Sequence, residues 1–394
     1  VFASQRGVAM RRFRALRCAV TEWSFPVRTL VGRHASRQLG AVLGPGARPL
    51  VVTDPGLARQ PFFKGILQDL DAAGLPPTAF TEVHPNPRDT DVAAGAAAFR
   101  EAGATGVICI GGGSALDAGK CIAMVAESGL QLAECDYFAA SPPLPEGGRL
   151  VPCVTVPTTA GTGAEMDSGS MYTDTQAQVK RCAGHTELPV TAVLDPELTV
   201  GLPPQLTAWT GMDALVHALE AYFVPAYHPM ADGIALEALR RINRHLLAAY
   251  TDGTDRVARQ EMLVASAMAA VSFQKGLGGV HGLSEPIGAV FDVHHGLTNA
   301  ILLPHMLRDL GGVIEDKCSD IAHALRLPQV SCGSGLGAVI SWVEELNRRM
   351  EIPASLGDIL PCTTDEQKML ELAQKAADNP TGFTNAVRFN SEDY

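Results

Sequence analysis

The stretch "VICIGGGSALDAGK", residues 107–120, decides the fold. The apolar start predicts a buried strand, the three glycines end it, and Ser114 stands where the N-cap of a following helix is expected. Glycines let a ligand approach the backbone closely, and the first turn of a helix offers free N–H groups. The pair therefore predicts a seat for a pyrophosphate. A plain strand-to-helix turn capped by Ser114 is the alternative. Lys120 follows the glycines by too many residues for a P-loop.

Short apolar runs rich in β-branched residues alternate with longer alanine-rich segments up to about residue 195. This alternation is typical of a parallel α/β sheet, because neighbouring parallel strands are usually connected by a helix. The predicted strands lie at residues 48–54, 79–83, 105–113, 151–157 and 190–195.

The pattern changes after "DPELTVGLPP" at residues 195–204, and strand-like runs almost disappear. Apolar residues then recur at helical spacing, as in "LTAWTGMDALVHALEAYFV". A chain of 394 residues is also longer than a single hydrophobic core usually grows. We therefore predict an α/β dinucleotide-binding domain over residues 1–194 and an all-helical domain over residues 195–394.

The composition narrows the class of protein. A net charge of −11 argues against a nucleic-acid-binding or anionic-membrane surface, which needs clustered Lys and Arg, and no apolar run reaches the roughly 20 residues that span a bilayer. Nine scattered cysteines without a C-x-x-C pair are typical of reduced thiols in a cytoplasmic protein. Residues 1–21 carry five Arg and no acid, so an organelle-targeting segment is the alternative location signal.

Two further segments belong to the same predicted sheet. Asp54 ends the strand in "LVVTDPG" (50–56), where a carboxylate can accept hydrogen bonds from a ribose and repel a 2′-phosphate, which favours NAD over NADP. A simple turn former is the alternative. The segment "VPTTAGTGAE" (156–165) runs from a strand into hydroxyl and glycine residues. These residues either hold phosphate or ribose or form an ordinary loop.

Metal ligands are predicted in the helical half. Asp213 and His217 stand four residues apart, so both lie on one face of the helix predicted in "TGMDALVHALEAY" (210–222). A buried pair that satisfies itself is the alternative. His281 and His295 add two imidazoles on either side of a turn that contains Gly and Pro. One carboxylate and three neutral imidazoles suit Fe(II) or Zn(II) and leave room for a substrate oxygen.

Together these motifs resemble the iron-containing (group III) alcohol dehydrogenase family. The resemblance implies a Rossmann-like N-terminal domain and an all-helical C-terminal domain, the dehydroquinate synthase-like architecture, with cofactor and metal in the cleft between them. It covers about residues 50 to 307, and "NSEDY" (390–394) resembles the family's C-terminal tail. The matching runs are "HPNP" (84–87), "GGGSALDAGK" (111–120), "PTTAGTGAE" (157–165), "DPELTVGLPPQLTAWTGMDALVHALEAY" (195–222) and "KGLGGVHGLSEPIGAVFDVHHGLTNAILLPH" (275–305).

The resemblance also implies the site residues. The family's four metal-ligand positions, which hold Fe(II) with Zn(II) as the alternative, are Asp213, His217, His281 and His295. Lys180 matches only through the variable stretch "QVKRCAGHTELP" (178–189). The NAD(H) positions are Asp54, Asn86, Gly112, Gly113, Ser114, Asp117, Thr158, Thr159, Thr162 and Lys180.

One residue departs from the family pattern. The family usually has a second histidine four residues after the one at position 281, near the nicotinamide and the substrate oxygen, and this chain has Glu285 there. We interpret Glu285 as a proton acceptor or as a selector against anionic substrates, in preference to a fifth metal ligand. His294, in the family variant "HHG", is the second candidate catalytic residue and supports the same site, whereas Asp292 is interpreted as a solvated or capping residue.

These inferences predict a metal-dependent, NAD(H)-linked alcohol dehydrogenase or aldehyde reductase that transfers a hydride between a small alcohol and nicotinamide. We expect a homodimer in the cytoplasm. A polyol dehydrogenase of the glycerol type and a dehydroquinate-synthase-like lyase are alternatives, but both typically present three protein ligands to the metal. A catalytically silent protein that binds NAD and metal is the alternative from another class.

Overall fold

The structure is a computed structural model that describes residues 27–137, 150–177, 179–185, 189–328, 334–361 and 366–394. The predicted targeting segment lies outside these residues, as do Cys18, Cys332 and Cys362. The other six cysteines carry free thiols, as their scattered positions predict.

Among the described residues, six parallel strands form one sheet in the spatial order β1-β8-β5-β4-β2-β3, and β6 and β7 pair as a separate antiparallel hairpin. All six residues of β4 are buried, which explains its continuous apolar run, because a parallel sheet is covered on both faces. The strands are β1 (Arg28–Val31), β2 (Pro49–Val52), β3 (Thr78–Phe80), β4 (Gly106–Gly111), β5 (Cys153–Pro157), β6 (Gly169–Asp174), β7 (Val179–Gly184) and β8 (Thr191–Leu194).

The two faces of β4 pack against different helices. Val107 and Cys109 join the apolar cluster that includes Phe99 of α3 and Ile122 of α4. Ile108 and Ile110 join a second cluster built with α1 and α2. The helices that accompany the strands are α1 (Leu39–Leu43), α2 (Pro61–Ala72), α3 (Asp89–Glu101) and α4 (Gly113–Val125).

The α/β prediction is confirmed, and all five predicted strands are present as β2, β3, β4, β5 and β8. The sequence pattern did not indicate β1, β6 or β7. β1 lies at the edge of the sheet and is only partly buried, so its short sequence lacks the apolar run of a central strand.

The residues after β8 are helical, as predicted. α5 carries Asp213 and His217, α8 carries His281 and Glu285, and α9 begins at His295. The helices are α5 (Pro204–Phe223), α6 (Pro229–Thr251), α7 (Arg256–Ser272), α8 (Gly279–Phe291), α9 (His295–Leu310), α10 (Glu315–Leu325), α11 (Gly335–Arg349) and α12 (Glu366–Ala377).

The described residues divide into two compact units. The sheet unit contains residues 27–210 and Ala248–Ala267, and the helical unit contains Gly211–Leu247 and Met268–Tyr394. This division differs from the predicted boundary between residues 194 and 195, because the chain passes between the units inside α5, α6 and α7. A change in secondary-structure pattern therefore does not coincide with the change of compact unit.

Within the described part of the chain, no single helix has the length and hydropathy needed to cross a membrane, and one bent helix pair passes that test only in combination.

Gly119 provides a test of the packing between α4 and β4. A Cβ atom at Gly119 would lie 2.1 Å from the Sγ of Cys109, whose side chain is fully buried. We expect Gly119→Ala to lower the free energy of unfolding by about 1–3 kcal/mol, the typical cost of overpacking a core. Urea unfolding followed by circular dichroism measures the change.

Gly65→Ala is the matched control, since Gly65 also lies inside a helix and a Cβ there meets no atom within 4 Å. We expect this variant to be unchanged or stabilised by up to about 1 kcal/mol. Equal unfolding free energies for Gly119→Ala and the unaltered protein would contradict the packing.

Candidate metal centre and cofactor site

Two loops of the sheet unit lie together at the carboxyl ends of β4 and β5. Gly111 at the end of β4 pairs with Pro157 at the end of β5, and the N–H of Thr158 donates to the carbonyl of Gly111 over 2.9 Å. Open α/β sheets bind ligands outside the carboxyl ends of their strands. The turn before α4 and the loop that starts at Thr158 therefore form one candidate cofactor surface.

The glycine run lets these two loops approach each other. A Cβ atom at Gly113 would lie 2.7 Å from the Cγ2 of Thr162, closer than real Cβ atoms come to other atoms, and one at Gly112 would lie 3.5 Å from the Oγ1 of Thr159. Position 113 thus needs glycine, because Thr162 of the second loop fills the space that a side chain would take. Four predicted cofactor residues are brought together here.

Ser114 is not the N-cap of α4. The helix begins at Gly113 with Gly112 in the N-cap position, so the predicted capping role was wrong, because the helix starts inside the glycine run. The Oγ of Ser114 instead accepts a hydrogen bond from the N–H of Asn86 over 3.3 Å. Asn86 adopts the left-handed conformation, with φ 55°, and its Oδ1 accepts from the Nζ of Lys180 over 2.9 Å. Three predicted cofactor residues from separate segments therefore meet.

Asp54 and Asp117, the two carboxylates predicted to contact the cofactor, both accept hydrogen bonds from backbone N–H groups. Asp54 Oδ1 accepts from the N–H of Gly56 at 2.8 Å and from that of Leu57 at 3.0 Å, which are the bonds of a turn former. Asp117 Oδ2 accepts from the N–H of Met171 at 3.1 Å. Direct contact of either carboxylate with a cofactor stays a prediction.

Lys120 organises the second loop, a role that sequence reasoning missed. Its side chain is fully buried, and its Nζ donates to the carbonyls of Ala164, Asp167 and Gly169 at 2.8, 2.9 and 2.5 Å. The same Nζ lies 3.2 Å from Asp117 Oδ1. Burial acts to lower the pKa of Lys120, but Asp117 and its neighbour Asp167 hold it above the usual value. The charged Lys120 side chain therefore holds the second loop together by binding three of its carbonyl groups. The one available signal was a lysine on the apolar side of a buried helix.

Three predicted metal ligands converge in the helical unit. The His281 Nε2 and His295 Nε2 atoms lie 3.9 and 3.6 Å from Asp213 Oδ1, and all three atoms lie within 4.8 Å of one another. Ligand bonds of about 2.0–2.2 Å to one ion place ligand atoms roughly 3–4 Å apart. Burial acts to raise the pKa of Asp213, but the surrounding histidines hold it below its usual value. The donor set and its spacing therefore fit one divalent cation.

Glu220 orients His281. Its Oε2 lies 2.6 Å from His281 Nδ1, and its Oε1 accepts the N–H of Val280 over 2.7 Å. This contact favours the tautomer with the proton on Nδ1, which leaves Nε2 on the side of Asp213. Sequence reasoning missed Glu220. The signal was a carboxylate on the same face of an apolar helix as Asp213 and His217.

His217 lies beside this group. Its ring stacks on that of His281 with centroids 4.5 Å apart, and its centroid is 5.1 Å from that of Phe273. Among the residues that the structure describes, the group of ligand atoms that all lie within 4.8 Å of one another takes one atom each from Asp213, His281 and His295. His217 is not part of this group. The assignment of His217 as fourth ligand therefore stays a prediction.

Asn299 was not predicted and lies among the three ligand atoms. This buried residue follows His295 by one helical turn, and its Nδ2 donates to Asp213 Oδ1 over 2.7 Å. The same Nδ2 lies 3.3 Å from His281 Nε2 and 3.1 Å from His295 Nε2. Because an amide nitrogen has two N–H groups, Asn299 can donate to Asp213 and to one of the two histidines at a time.

Glu285 lies one turn after His281 on α8, and its carboxylate is held by the C-terminal segment. Its Oε2 accepts from Asn379 Nδ2 at 2.7 Å and from Thr381 Oγ1 at 3.3 Å. His294 is the N-cap of α9, and burial lowers its pKa. Asp292 is the left-handed C-cap of α8, which confirms the capping interpretation.

Comparisons with known proteins identify the family of this chain. A family model described as "Iron-containing alcohol dehydrogenase" matches residues 26–196, and one described as "Fe-containing alcohol dehydrogenase family, C-terminal" matches residues 207–394. The chain is 39% identical over 327 residues to 4-hydroxybutyrate dehydrogenase from Cupriavidus necator, covering 78% of this chain and 81% of that protein. It is 33% identical over 346 residues to NAD-dependent methanol dehydrogenase from Bacillus methanolicus, covering 86% and 90%.

Solved structures show the same architecture. The structure of a 1,3-propanediol oxidoreductase superposes with a TM-score of 0.88 at 32% sequence identity, covering 95% of this chain and 98% of that one.

Removing the buried ammonium group tests the role of Lys120. We expect Lys120→Met to lower the free energy of unfolding by about 3–5 kcal/mol, because three carbonyls and Asp117 lose a buried cationic partner. Thermal and urea unfolding measure the loss. Lys64→Met is the matched control at an exposed lysine, with an expected change within about 0.5 kcal/mol. Similar losses in both variants would contradict an organising role for Lys120.

Proposed function

The chain belongs to the iron-containing alcohol dehydrogenase family and is an oxidoreductase that acts on alcohols, and on this premise we propose that it uses Fe(II) and NAD(H) to interconvert a small neutral alcohol and its aldehyde. The observation that carries this proposal is the group of Asp213, His281 and His295, whose three ligand atoms lie within 4.8 Å of one another.

The proposed ion is held by Asp213, His217, His281 and His295. When bound, such a cation polarises an alcohol oxygen and lowers its pKa, and the nicotinamide accepts the hydride. The protein's contribution is orientation. Glu220 keeps the acceptor nitrogen of His281 toward the centre, and Asn299 holds the carboxylate of Asp213 in place. Zn(II) suits the same donors, so the choice of Fe(II) rests on family membership.

The proposed preference for NAD over NADP rests on Asp54. Asp54 follows the end of β2 by two residues, at the same edge of the sheet as the glycine turn. A carboxylate in this position can accept from ribose hydroxyls and repels a 2′-phosphate. The relative from Bacillus methanolicus is NAD-dependent by name, which supports the same preference.

The proposed substrate class rests on Glu285. Its carboxylate lies one helical turn from His281, and its negative charge acts on that histidine. A carboxylate beside a substrate site disfavours anions and tolerates neutral alcohols. A diol is a specific candidate, because a relative from Klebsiella pneumoniae, 34% identical over 354 residues, is a 1,3-propanediol dehydrogenase. An anionic hydroxy acid is the competing class, since the relative from Cupriavidus necator is a 4-hydroxybutyrate dehydrogenase.

Assembly and location are further proposals. We propose a homodimer, as the family resemblance suggests, and a cytoplasmic enzyme. Free thiols at Cys109, Cys121, Cys135, Cys153, Cys182 and Cys318 support a reducing compartment.

Metal removal and ligand loss test the proposed function. Protein loaded with Fe(II) is expected to reduce NAD with 1,3-propanediol, and chelation is expected to abolish the rate. His281→Ala is expected to lose bound metal and at least about a thousandfold in kcat/KM, because a ligand and the Glu220 pairing are both lost. Glu220→Gln is expected to weaken metal affinity about 10–100-fold. Metal content by mass spectrometry and absorbance of NADH are the measurements.

Glu371→Gln, at an exposed acid of α12, is the control and is expected to keep metal and rate. A His281→Ala protein with full metal content and turnover would refute the ligand assignment. Bound metal and NAD without oxidation of any alcohol would refute the activity.

Replacement of Glu285 tests substrate selection. We expect Glu285→Gln and Glu285→His to raise kcat/KM for 4-hydroxybutyrate relative to 1,3-propanediol by about tenfold, because a like charge beside the substrate is removed. The histidine variant is expected to add an ionisation near neutral pH to the pH profile of kcat, whereas the glutamine variant adds none, since an amide does not titrate. Steady-state kinetics with both substrates over a pH series measure the two effects. Unchanged preference in both variants would make Glu285 a purely structural anchor for Asn379 and Thr381.

A further inference from the structure

Two lysines in the helical unit share one carboxylate oxygen. The Nζ of Lys275 donates to Asp232 Oδ1, and the Nζ of Lys317 lies 3.9 Å from the same oxygen. Lys275 follows α7, Asp232 lies on α6 and Lys317 lies on α10. None of these residues belongs to the proposed metal centre. The charge of the Lys275 ammonium therefore acts directly on Lys317.

The two lysines differ in their access to water. The side chain of Lys275 is fully buried, whereas 27% of the Lys317 side chain is exposed. The Nζ of Lys317 also donates to the backbone carbonyl of Tyr222 and lies 4.4 Å from the centroid of the Tyr222 ring. Because a buried ammonium depends on its carboxylate partner, Asp232 is committed to Lys275. Of the two amines, Lys317 is the one whose side chain is partly exposed.

Burial, together with the charge of Lys275, favours loss of a proton from Lys317. Burial and the charge of Lys275 lower the pKa of Lys317 to about 8, against the opposing charges of Asp232 and Asp320. Tyr222 donates its hydroxyl to Asp320 over 3.2 Å, and His228 faces Lys275 and Asp232. At about pH 7.5, roughly a quarter of such an amine is unprotonated, compared with about 0.1% of an ordinary lysine.

We propose that Lys317 is a nucleophilic amine that condenses reversibly with small aldehydes, the class of compound that this enzyme makes or consumes. The Nζ lone pair forms a bond to the carbonyl carbon, and one N–H proton moves to the carbonyl oxygen to give a carbinolamine. That hydroxyl then leaves as water with the second N–H hydrogen, and an imine remains. No oxidant or reductant is needed, and water reverses the reaction. The Tyr222 ring and Asp232 stabilise the cationic, protonated form of the imine.

The identity of the natural aldehyde rests on the proposed function, but the reactivity of the amine does not. Full-length protein is incubated with propanal and cyanoborohydride, which traps the imine as N-propyl-lysine, in the absence of NADH. Peptide mapping by mass spectrometry then follows each lysine, with the exposed Lys64 and Lys375 as internal references.

We expect Lys317 to be labelled at least about tenfold faster than either reference at about pH 7.5. The labelling rate is expected to rise with pH and to level off above about pH 8, because only the neutral amine reacts. Labelling of Lys317 at or below the rate of the references would overturn the proposal. Alcohol oxidation is measured separately, so a protein that is labelled at Lys317 but is inactive refutes the dehydrogenase function alone.

Two variants with opposite expected effects test the cause. Lys275→Met leaves Asp232 to pair with Lys317, so labelling of Lys317 is expected to fall to the rate of the references. Asp232→Asn removes the carboxylate, so labelling is expected to rise further below pH 8. Lys275→Arg keeps the charge and is expected to keep the fast labelling, and Lys64→Met is expected to leave it unchanged. Fast labelling in a folded Lys275→Met protein would overturn the proposed origin of the reactivity.

Discussion

A charge buried in an apolar interior must be partnered within the protein, since an unpaired buried ion costs several kcal/mol. Lys120 and Glu220 are both buried, and each contacts several partners. Lys120 donates hydrogen bonds to carbonyls of the loop that follows β5. Glu220 positions α8 by hydrogen bonds to the backbone N–H of Val280 and to the ring of His281. The candidate cofactor surface therefore depends on the partners of buried Lys120, and the candidate metal centre depends on those of buried Glu220.

Close packing acts together with these charges. At the glycine turn, Gly113 has room for no side chain because Thr162 occupies that space. In the helical unit, the rings of His217 and His281 stack and Asn299 lies between the ligand atoms. Such sites are stiff, because core atoms cannot shift far without losing contacts. This stiffness is what an ion with fixed bond lengths and a nicotinamide with a fixed orientation require.

The residue that departs from the family pattern lies next to the candidate metal group. Glu285 stands one turn from His281 but is held by Asn379 and Thr381 near the end of the chain. A substitution at either partner therefore acts on the carboxylate that we propose to select the substrate. In the same way, one carboxylate, that of Asp232, acts on the protonation of two amines, those of Lys275 and Lys317.

The sequence by itself determined the α/β sheet, the helical half and the three residues that the structure groups as a candidate metal site. These follow from local periodicity and from motifs whose residues are few and closely spaced, such as the glycine run. Only the tertiary structure decided that Glu220, Asn299 and Lys120 hold the sites, and that the compact units divide inside helices. The physical reason is that a side chain's partner is selected by packing between segments far apart in the chain: 61 residues separate Glu220 from His281 and 44 separate Lys120 from Ala164. No local pattern encodes such pairs.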